Sequence, residues 1–116
     1  MQKQQRVRGL FREEAFPPAN AKILIQRGWR MGRVHATPHF QRRARERGFT
    51  LIDAGHAIQR GVIYEPPEFC VRFRNWKYRI ERKPSRGEES FGVVVALEVD
   101  DPSAPLVILI TGYRVQ

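Results

Sequence analysis

Cysteine is nearly absent from this chain of 116 residues, and because Cys70 is its single thiol, no internal disulfide can form. Cys70 lies in an alternating apolar run, where a small buried thiol with a structural role is the common case. No apolar run is long enough to cross a bilayer, and the first residues lack the apolar core of a signal peptide. We therefore expect a cytoplasmic protein with no membrane partner.

Metal and nucleotide motifs are missing as well. No Cys/His cluster has zinc spacing, no glycine-rich phosphate loop is present, and Asp100-Asp101 lies in a turn signal. We expect no metal and no cofactor. Chemistry on a phosphodiester would then be metal-free, which RNA permits because its own 2′-hydroxyl is the nucleophile and the protein need only position it, move protons and stabilise charge.

Arginine is what the chain has in excess. Of its 21 basic residues 17 are Arg, the formal net charge is +9, and residues 1–50 hold 12 Lys and Arg against three acidic residues. Residues 51–116 hold nine of each. Because the guanidinium binds phosphate bidentately and stacks on bases, this surplus predicts a nucleic-acid partner, RNA rather than DNA. A solvated arginine-rich surface without a ligand is the alternative.

The length predicts one core, since two would each be close to the smallest size that folds alone. Residues 1–18, with alternating charges and a Pro17-Pro18 end, are interpreted as a flexible basic arm, and residues 19–116 as a single α+β domain. Within that domain, segment 21–34 suits a short helix or a strand, and its pattern leaves the two open.

Two short helices are predicted next. Thr37-Pro38 provides an N-cap and a proline at the first helical position, and Gly48 provides a C-terminal stop. Thr50 and Asp53 form a capping box for the second helix, which ends before Gly61.

From Val62 onward the apolar period changes to two, which predicts strands, with Arg74-Asn75 as a two-residue hairpin. The expected fold is two short helices packed on a mainly antiparallel four-stranded sheet. The last two strands, FGVVVALEV and LVILITGYRV, are apolar at almost every position, which predicts that both their faces are covered. Two helices cover one face; segment 21–34, a homodimer partner or another protein would cover the second.

Candidate site residues fall into two groups. His39, Arg43 and Arg47 follow one row of the first predicted helix, where neighbouring cations would keep the imidazole neutral as a general base. Basic and aromatic residues alternate on the predicted strands, a mixture that binds phosphates and stacks bases, although a half-buried strand alternates in the same way without a ligand. The candidate nucleic-acid-binding residues are Arg42, Arg43, Arg47, Arg72, Arg74, Lys77 and Arg82.

A family resemblance adds to these patterns. The residues that carry it are, in chain order, His39-Phe40, Arg43, Arg47-Gly48-Phe49-Thr50, Asp53, Gly61, Tyr78-Arg79 and the closing VILITGYR. Their order resembles a family of small bacterial domains of unknown function related to the RelE and BrnT toxins, within the barnase, EndoU, colicin and RelE ribonuclease fold group. The resemblance covers about residues 33–115.

The resemblance implies two helices on a four-stranded antiparallel sheet, a site on the exposed sheet face, metal-independent RNA cleavage and an antitoxin partner. His39 and Arg43 match the family's most recognisable positions, while Arg79 and Tyr113 fall where toxin relatives place basic and aromatic site residues. The resemblance thus implies His39, Arg79 and Tyr113 as the candidate catalytic residues. Three hypotheses follow: a toxin-type ribonuclease, a non-catalytic nucleic-acid-binding module, or a protein-interaction subunit that binds an antitoxin or dimerises.

Overall fold

The computed structural model describes residues 14–83 and 89–115. In these residues no helix combines the length and the apolar character needed to span a bilayer. The described part of the chain forms three helices and a five-stranded sheet, in the order α1 (Pro18–Arg30), β1 (Val34–Ala36), α2 (Pro38–Arg47), α3 (Leu51–Arg60), β2 (Glu68–Cys70), β3 (Asn75–Glu81), β4 (Ser90–Glu98) and β5 (Leu106–Val115).

The α+β class is confirmed, but the expected number of helices and strands is wrong. Segment 21–34 contributes both extra elements, because α1 occupies its first part and β1 begins at Val34. This part of the segment forms a helix and not a strand, because the helical period places Ala21, Ile25 and Gly28 together on a buried face. The domain therefore has one more helix and one more strand than the pattern indicated.

The C-terminal end of the predicted arm packs against the domain. Phe16 packs against the core, and its backbone N–H donates to the Tyr78 hydroxyl at 2.9 Å. Pro18 is the first residue of α1, so the paired prolines open a helix. Residues 1–13 of the proposed arm lie outside the described residues.

The local helix signals are confirmed. The Thr37 hydroxyl accepts a hydrogen bond from the Phe40 backbone N–H at 3.1 Å, and Gly48 closes α2 in the left-handed conformation with φ 72°. The capping box of Thr50 and Asp53 is present at the start of α3. Both helices therefore have the bounds that their cap residues indicated.

The sheet is mixed, with strand order β1-β5-β4-β3-β2, because β1 pairs parallel to β5 while the other neighbours are antiparallel. The predicted two-residue hairpin at Arg74-Asn75 is wrong: β2 and β3 are joined by the turn of residues 71–74, which ends on Arg74 at φ 53°. Asn75 belongs to β3, where its buried amide donates to the Leu97 carbonyl at 2.6 Å.

The sheet has a helix face and a second face, which we call the outer face. All three helices join the core on the helix face, packing on Tyr78, Ile80, Val93, Val95, Leu97, Val107 and Leu109. Because side chains alternate along a strand, the intervening residues lie on the outer face. They include His35, Lys77, Arg79, Glu81, Val94, Ala96, Ile108 and Tyr113.

The apolar residues of the outer face are buried within the single chain. Val94, Ala96 and Ile108 are only 4%, 0% and 6% exposed. Val94 lies in a cleft of the outer face that Lys77 and Arg79 also line. Burial of these strands therefore requires neither α1, which is on the helix face, nor a second chain.

Candidate nucleic-acid site

A cavity of about 410 Å³ opens at the edge of the outer face formed by β1 and β5, beside the N-terminal end of α2. We call it the α2 cavity. Helix α2 and the 71–74 turn contribute its basic side chains, while β1 contributes an imidazole. The lining residues are His35, Thr37, Pro38, His39, Arg42, Cys70, Arg72, Phe73 and Ile110.

His39 occupies the second position of α2, so the cap of that helix fixes where its imidazole lies. Arg42, one turn later, places a guanidinium nitrogen 3.3 Å from Nδ1 of His39. Because an arginine is always protonated and has no acceptor, Nδ1 is the acceptor and must lack a proton. The contact therefore fits the neutral tautomer of His39 that has its proton on Nε2.

Partial desolvation, followed by the positive charges of Arg43, Arg42, Arg72 and Arg47, lowers the pKa of His39. These cations come from two separate elements, α2 and the 71–74 turn, so the fold concentrates positive charge around one imidazole. At neutral pH such an imidazole is available as a proton acceptor.

His35 is a site residue that sequence reasoning did not assign. It lies in β1, opposite Ile108 of β5, and alternation directs it to the outer face and into the lining of the α2 cavity. A three-residue strand has no readable period, and its pairing with a strand about 70 residues away is set by the fold. The sequence therefore contained no local signal for this second imidazole.

The 71–74 turn supplies the opposite wall. The Arg72 guanidinium lies 5.8 Å from the centre of the Phe73 ring, which places a cation on an aromatic face. Arg72 is exposed, whereas Phe73 and Cys70 are half-buried at the cavity. The wall thus presents a cation and an aromatic ring to the space beside His39.

Tyr113 and Arg79 belong to a second group, which we call the tyrosine cluster, on the β3 to β5 part of the outer face. The Tyr113 hydroxyl donates to Oε2 of Glu81 at 2.5 Å, and the Arg79 guanidinium lies 5.4 Å from the centre of its ring. Burial, followed by the hydrogen bond to Glu81, raises the pKa of Tyr113, so its phenol keeps its proton. Tyr113 is accordingly a fixed hydrogen-bond donor to Glu81.

Gly92 of β4 pairs with Tyr113 of β5, and the Tyr113 ring lies over it. A Cβ at position 92 would lie 2.5 Å from that ring, so only glycine leaves room for the tyrosine to lie flat across the sheet. The position of the Tyr113 ring therefore depends on the absence of a side chain at Gly92. In the sequence, the only signal for this is a glycine within the apolar run of β4.

Replacing Gly92 by Ala should displace Tyr113 and lower the free energy of unfolding by about 1–3 kcal/mol, the usual cost of overpacking. Chemical denaturation measures the loss. In a double-mutant cycle, Gly92→Ala should cost much less when Tyr113→Ala is already present, because the ring that it displaces is gone. An equal cost in both backgrounds would show that Gly92 does not act through Tyr113.

The other predicted binding residues are dispersed. Arg43 pairs with Glu46 at 2.8 Å, and Arg47 donates to the Gly112 carbonyl at 2.8 Å, which ties α2 to β5. The remaining three lie elsewhere: Lys77 is 3.7 Å from Glu68, Arg74 is exposed in the turn, and Arg82 lines a cleft of about 70 Å³ with α3 residues Asp53 and His56.

The structure thus brings His39 together with Arg42 and Arg72, and brings Arg79 together with Tyr113, as two separate groups. The α2 cavity and the two small clefts lined by Arg79 have no lining residue in common. Of these three cavities, the α2 cavity is lined by His39 and the two small clefts by Arg79, while Tyr113 lines none of the three.

Comparison with known proteins gives no match: no family model, no curated protein and no solved structure is similar to this chain at a significant level.

Proposed function

We propose that this protein is an RNA-directed domain of the RelE-like kind that binds single-stranded RNA on its outer face and cleaves it without a metal ion. The observation that carries the proposal is the composition of the α2 cavity, where two imidazoles, two guanidinium groups and an aromatic ring line one space. Guanidinium groups bind phosphate, an aromatic ring stacks an unpaired base, and a pair of imidazoles can accept and donate the protons of a phosphodiester cleavage.

We assign the roles from the lining of the α2 cavity. His39 is the base, because its pKa is lowered and Nδ1 has a lone pair. It removes the proton of the 2′-hydroxyl, whose oxygen attacks the adjacent phosphorus; the bond to the 5′-oxygen breaks, and His35 donates a proton to that oxygen. The products are a 2′,3′-cyclic phosphate and a 5′-hydroxyl. Arg42 and Arg72 stabilise the charge that develops on the phosphate.

Arg42 links binding to this chemistry. In the structure its guanidinium occupies Nδ1 of His39. A phosphate in the cavity is a stronger partner for a guanidinium than a neutral imidazole nitrogen, so it draws Arg42 away. The base is thereby released only when RNA is bound.

The second candidate is a non-catalytic RNA-binding module that uses the same cavity. The observation in its favour is the separation of Arg79 and Tyr113 from His39, because the residues expected to act together in a toxin-type site line different spaces. Binding needs only the cations and the ring, whereas cleavage also needs both imidazoles.

An assay of mixed-sequence single-stranded RNA in the presence of a chelator separates the two candidates. We expect RNA binding in fluorescence anisotropy together with cleavage that chelation does not reduce. Binding with fully intact RNA supports the module and contradicts the ribonuclease. If the wild-type protein binds no RNA at moderate salt, both candidates are wrong.

A further inference from the structure

We infer that the tyrosine cluster, together with Tyr64 and Glu65, is a base-recognition subsite that selects guanine in the RNA held by the neighbouring α2 cavity. The inference rests on the proposed function and names the substrate class that it favours. It starts from an observation that phosphate binding does not explain: two carboxylates, Glu65 and Glu81, line the same cleft of the outer face as Arg79.

Carboxylates repel a phosphate backbone but accept hydrogen bonds from base edges. An ionised carboxylate has two acceptor oxygens and no donor. Guanine alone among the RNA bases presents two adjacent donors, N1–H and the N2 amine, on its Watson–Crick edge. A carboxylate beside an RNA site therefore discriminates for guanine and against adenine, cytosine and uracil.

Glu65 and Arg79 match the guanine edge as a pair. The side chain of Glu65 is 69% exposed, and its Oε1 lies 3.8 Å from Nε of Arg79. The carboxylate accepts from N1–H and N2–H, while the adjacent guanidinium donates to O6, one of the two guanine acceptors that arginine recognises in DNA.

Tyr64 provides the stacking surface. It lines this cleft with Glu65 and is 56% exposed, so its ring is accessible to a base that has left its stack. Sequence-specific recognition of single-stranded RNA commonly combines such a ring with hydrogen bonds to the Watson–Crick edge. The cleft thus contains a stacking ring, a double acceptor and a donor.

The remaining members of the cluster hold Arg79 in place. Tyr113 lies on Gly92, is fixed by its hydrogen bond to Glu81, and presents its ring to the Arg79 guanidinium. Arg79 is therefore packed on one side and exposed on the other. Tyr113 and Glu81 act as positioning residues in this arrangement.

The distance between the α2 cavity and Arg79 can be spanned by a single RNA strand. Ile110 lines the α2 cavity, its neighbour Thr111 pairs with Val94, and Val94 pairs with Arg79. Two strand spacings of about 4.8 Å separate Thr111 from Arg79. Single-stranded RNA covers about 10 Å in roughly three stacked nucleotides at ~3.4 Å each. The selected guanine then lies within a few nucleotides of the scissile phosphate.

The test uses ten-nucleotide 2′-O-methyl oligouridine probes, which cannot be cleaved, with a single central guanine, adenine or inosine. Fluorescence anisotropy with the full-length protein should show the guanine probe binding about tenfold more tightly than the adenine probe. The inosine probe, which lacks the N2 amine, should lie between them. Glu65→Gln should reduce the guanine preference, measured as the ratio of the two affinities, to about one, because an amide does not offer the double acceptor that guanine requires.

Glu68→Gln is the matched control, because Glu68 is an exposed carboxylate on the same edge of the sheet, paired with Lys77 instead of Arg79. It makes the same change in charge and should retain the tenfold preference. Equal binding of guanine, adenine and inosine probes by the wild-type protein overturns the guanine subsite and leaves RNA binding intact. Equal effects of Glu65→Gln and Glu68→Gln also overturn it, and a failure of every probe to bind overturns the proposed function itself.

Discussion

Replacing His39 by Ala should lower kcat/KM for RNA cleavage by about 100-fold to 10,000-fold, the contribution that a positioned general base makes. The loss follows from the α2 cavity, where His39 has the neutral nitrogen that removes the 2′-hydroxyl proton. Gel-based initial rates measure it. The affinity for a 2′-O-methyl RNA should change little, because Arg42 and Arg72 supply the phosphate contacts.

His56→Ala is the matched control for this prediction. His56 is an exposed imidazole on α3, next to Asp53 and Arg82 and outside the α2 cavity. Its removal should leave both cleavage and binding unchanged. A His39→Ala variant that cleaves at the wild-type rate would exclude His39 as the base and would leave only the binding role of the cavity.

The pH dependence of kcat/KM is a second test of the role of His39 as the base. Cleavage requires the unprotonated imidazole, so the rate rises as pH increases through the pKa of His39 in the free protein. Because desolvation and nearby cations lower that pKa, the midpoint of the acid limb should lie below the ordinary value of 6.5. Arg43→Gln removes one of those cations and should move the midpoint upward. A midpoint above 6.5 in the wild-type protein would contradict the assignment.

Reversing the charge of Arg42 and Arg72 together should reduce the affinity for single-stranded RNA by roughly 100-fold or more. Each guanidinium contributes a charge-assisted hydrogen bond to phosphate of about 1.5–3 kcal/mol, and two such losses correspond to at least two powers of ten. Because each neutralised phosphate adds about 0.7 to the salt slope for a single strand, the slope should fall by about 1.4. Anisotropy titrations at several salt concentrations measure both quantities.

The double variant Arg45→Glu with Arg60→Glu has the same change in net charge. Both of its arginines are exposed, in the last turns of α2 and α3, and neither lines the α2 cavity. If binding depends on the cavity, this control should lose far less affinity than Arg42→Glu with Arg72→Glu. Equal losses would mean that RNA responds only to total charge.

The cap residues explain why some elements could be predicted from the sequence. Thr37, Gly48, Thr50 and Asp53 each act within one helical turn, so their signals are local and the bounds of α2 and α3 followed from them. The strands β4 and β5 were recognisable because long apolar runs suit the middle of a sheet. These predictions needed no knowledge of the rest of the fold.

Elements that depend on distant partners could not be predicted. β1 is only three residues long and pairs with β5, and the 71–74 turn is followed by Asn75, whose side chain donates to the carbonyl of Leu97, 22 residues later. The alternating strand pattern of the sequence continues through Val71, but in the structure Val71 lies in the turn and is 79% exposed. Periodicity reports local burial and does not identify the partner of a strand.

The residues of the candidate site also divide into those that have a local sequence signal and those that depend on distant contacts. Row spacing on α2 singled out His39 with Arg43 and Arg47, whereas the arginines that line the α2 cavity with His39 are Arg42 and Arg72. The alternation on β3 placed Arg79 on the outer face. Glu81 was missed because its role depends on Tyr113, 32 residues later, and on the room above Gly92. His35 was missed because its strand has no local signal. Long-range contacts, which the sequence does not display, decide which side chains meet.

The most direct test of the central claim compares two oligonucleotides of identical mixed sequence, one entirely RNA and one in which every 2′-hydroxyl is methylated, with the wild-type protein and a chelator. The α2 cavity should bind both, and only the RNA should be cleaved, giving ends with a 2′,3′-cyclic phosphate that mass spectrometry identifies. Cleavage of the methylated strand, or RNA products that carry a 5′-phosphate and a 3′-hydroxyl, would contradict a mechanism in which the 2′-hydroxyl is the nucleophile.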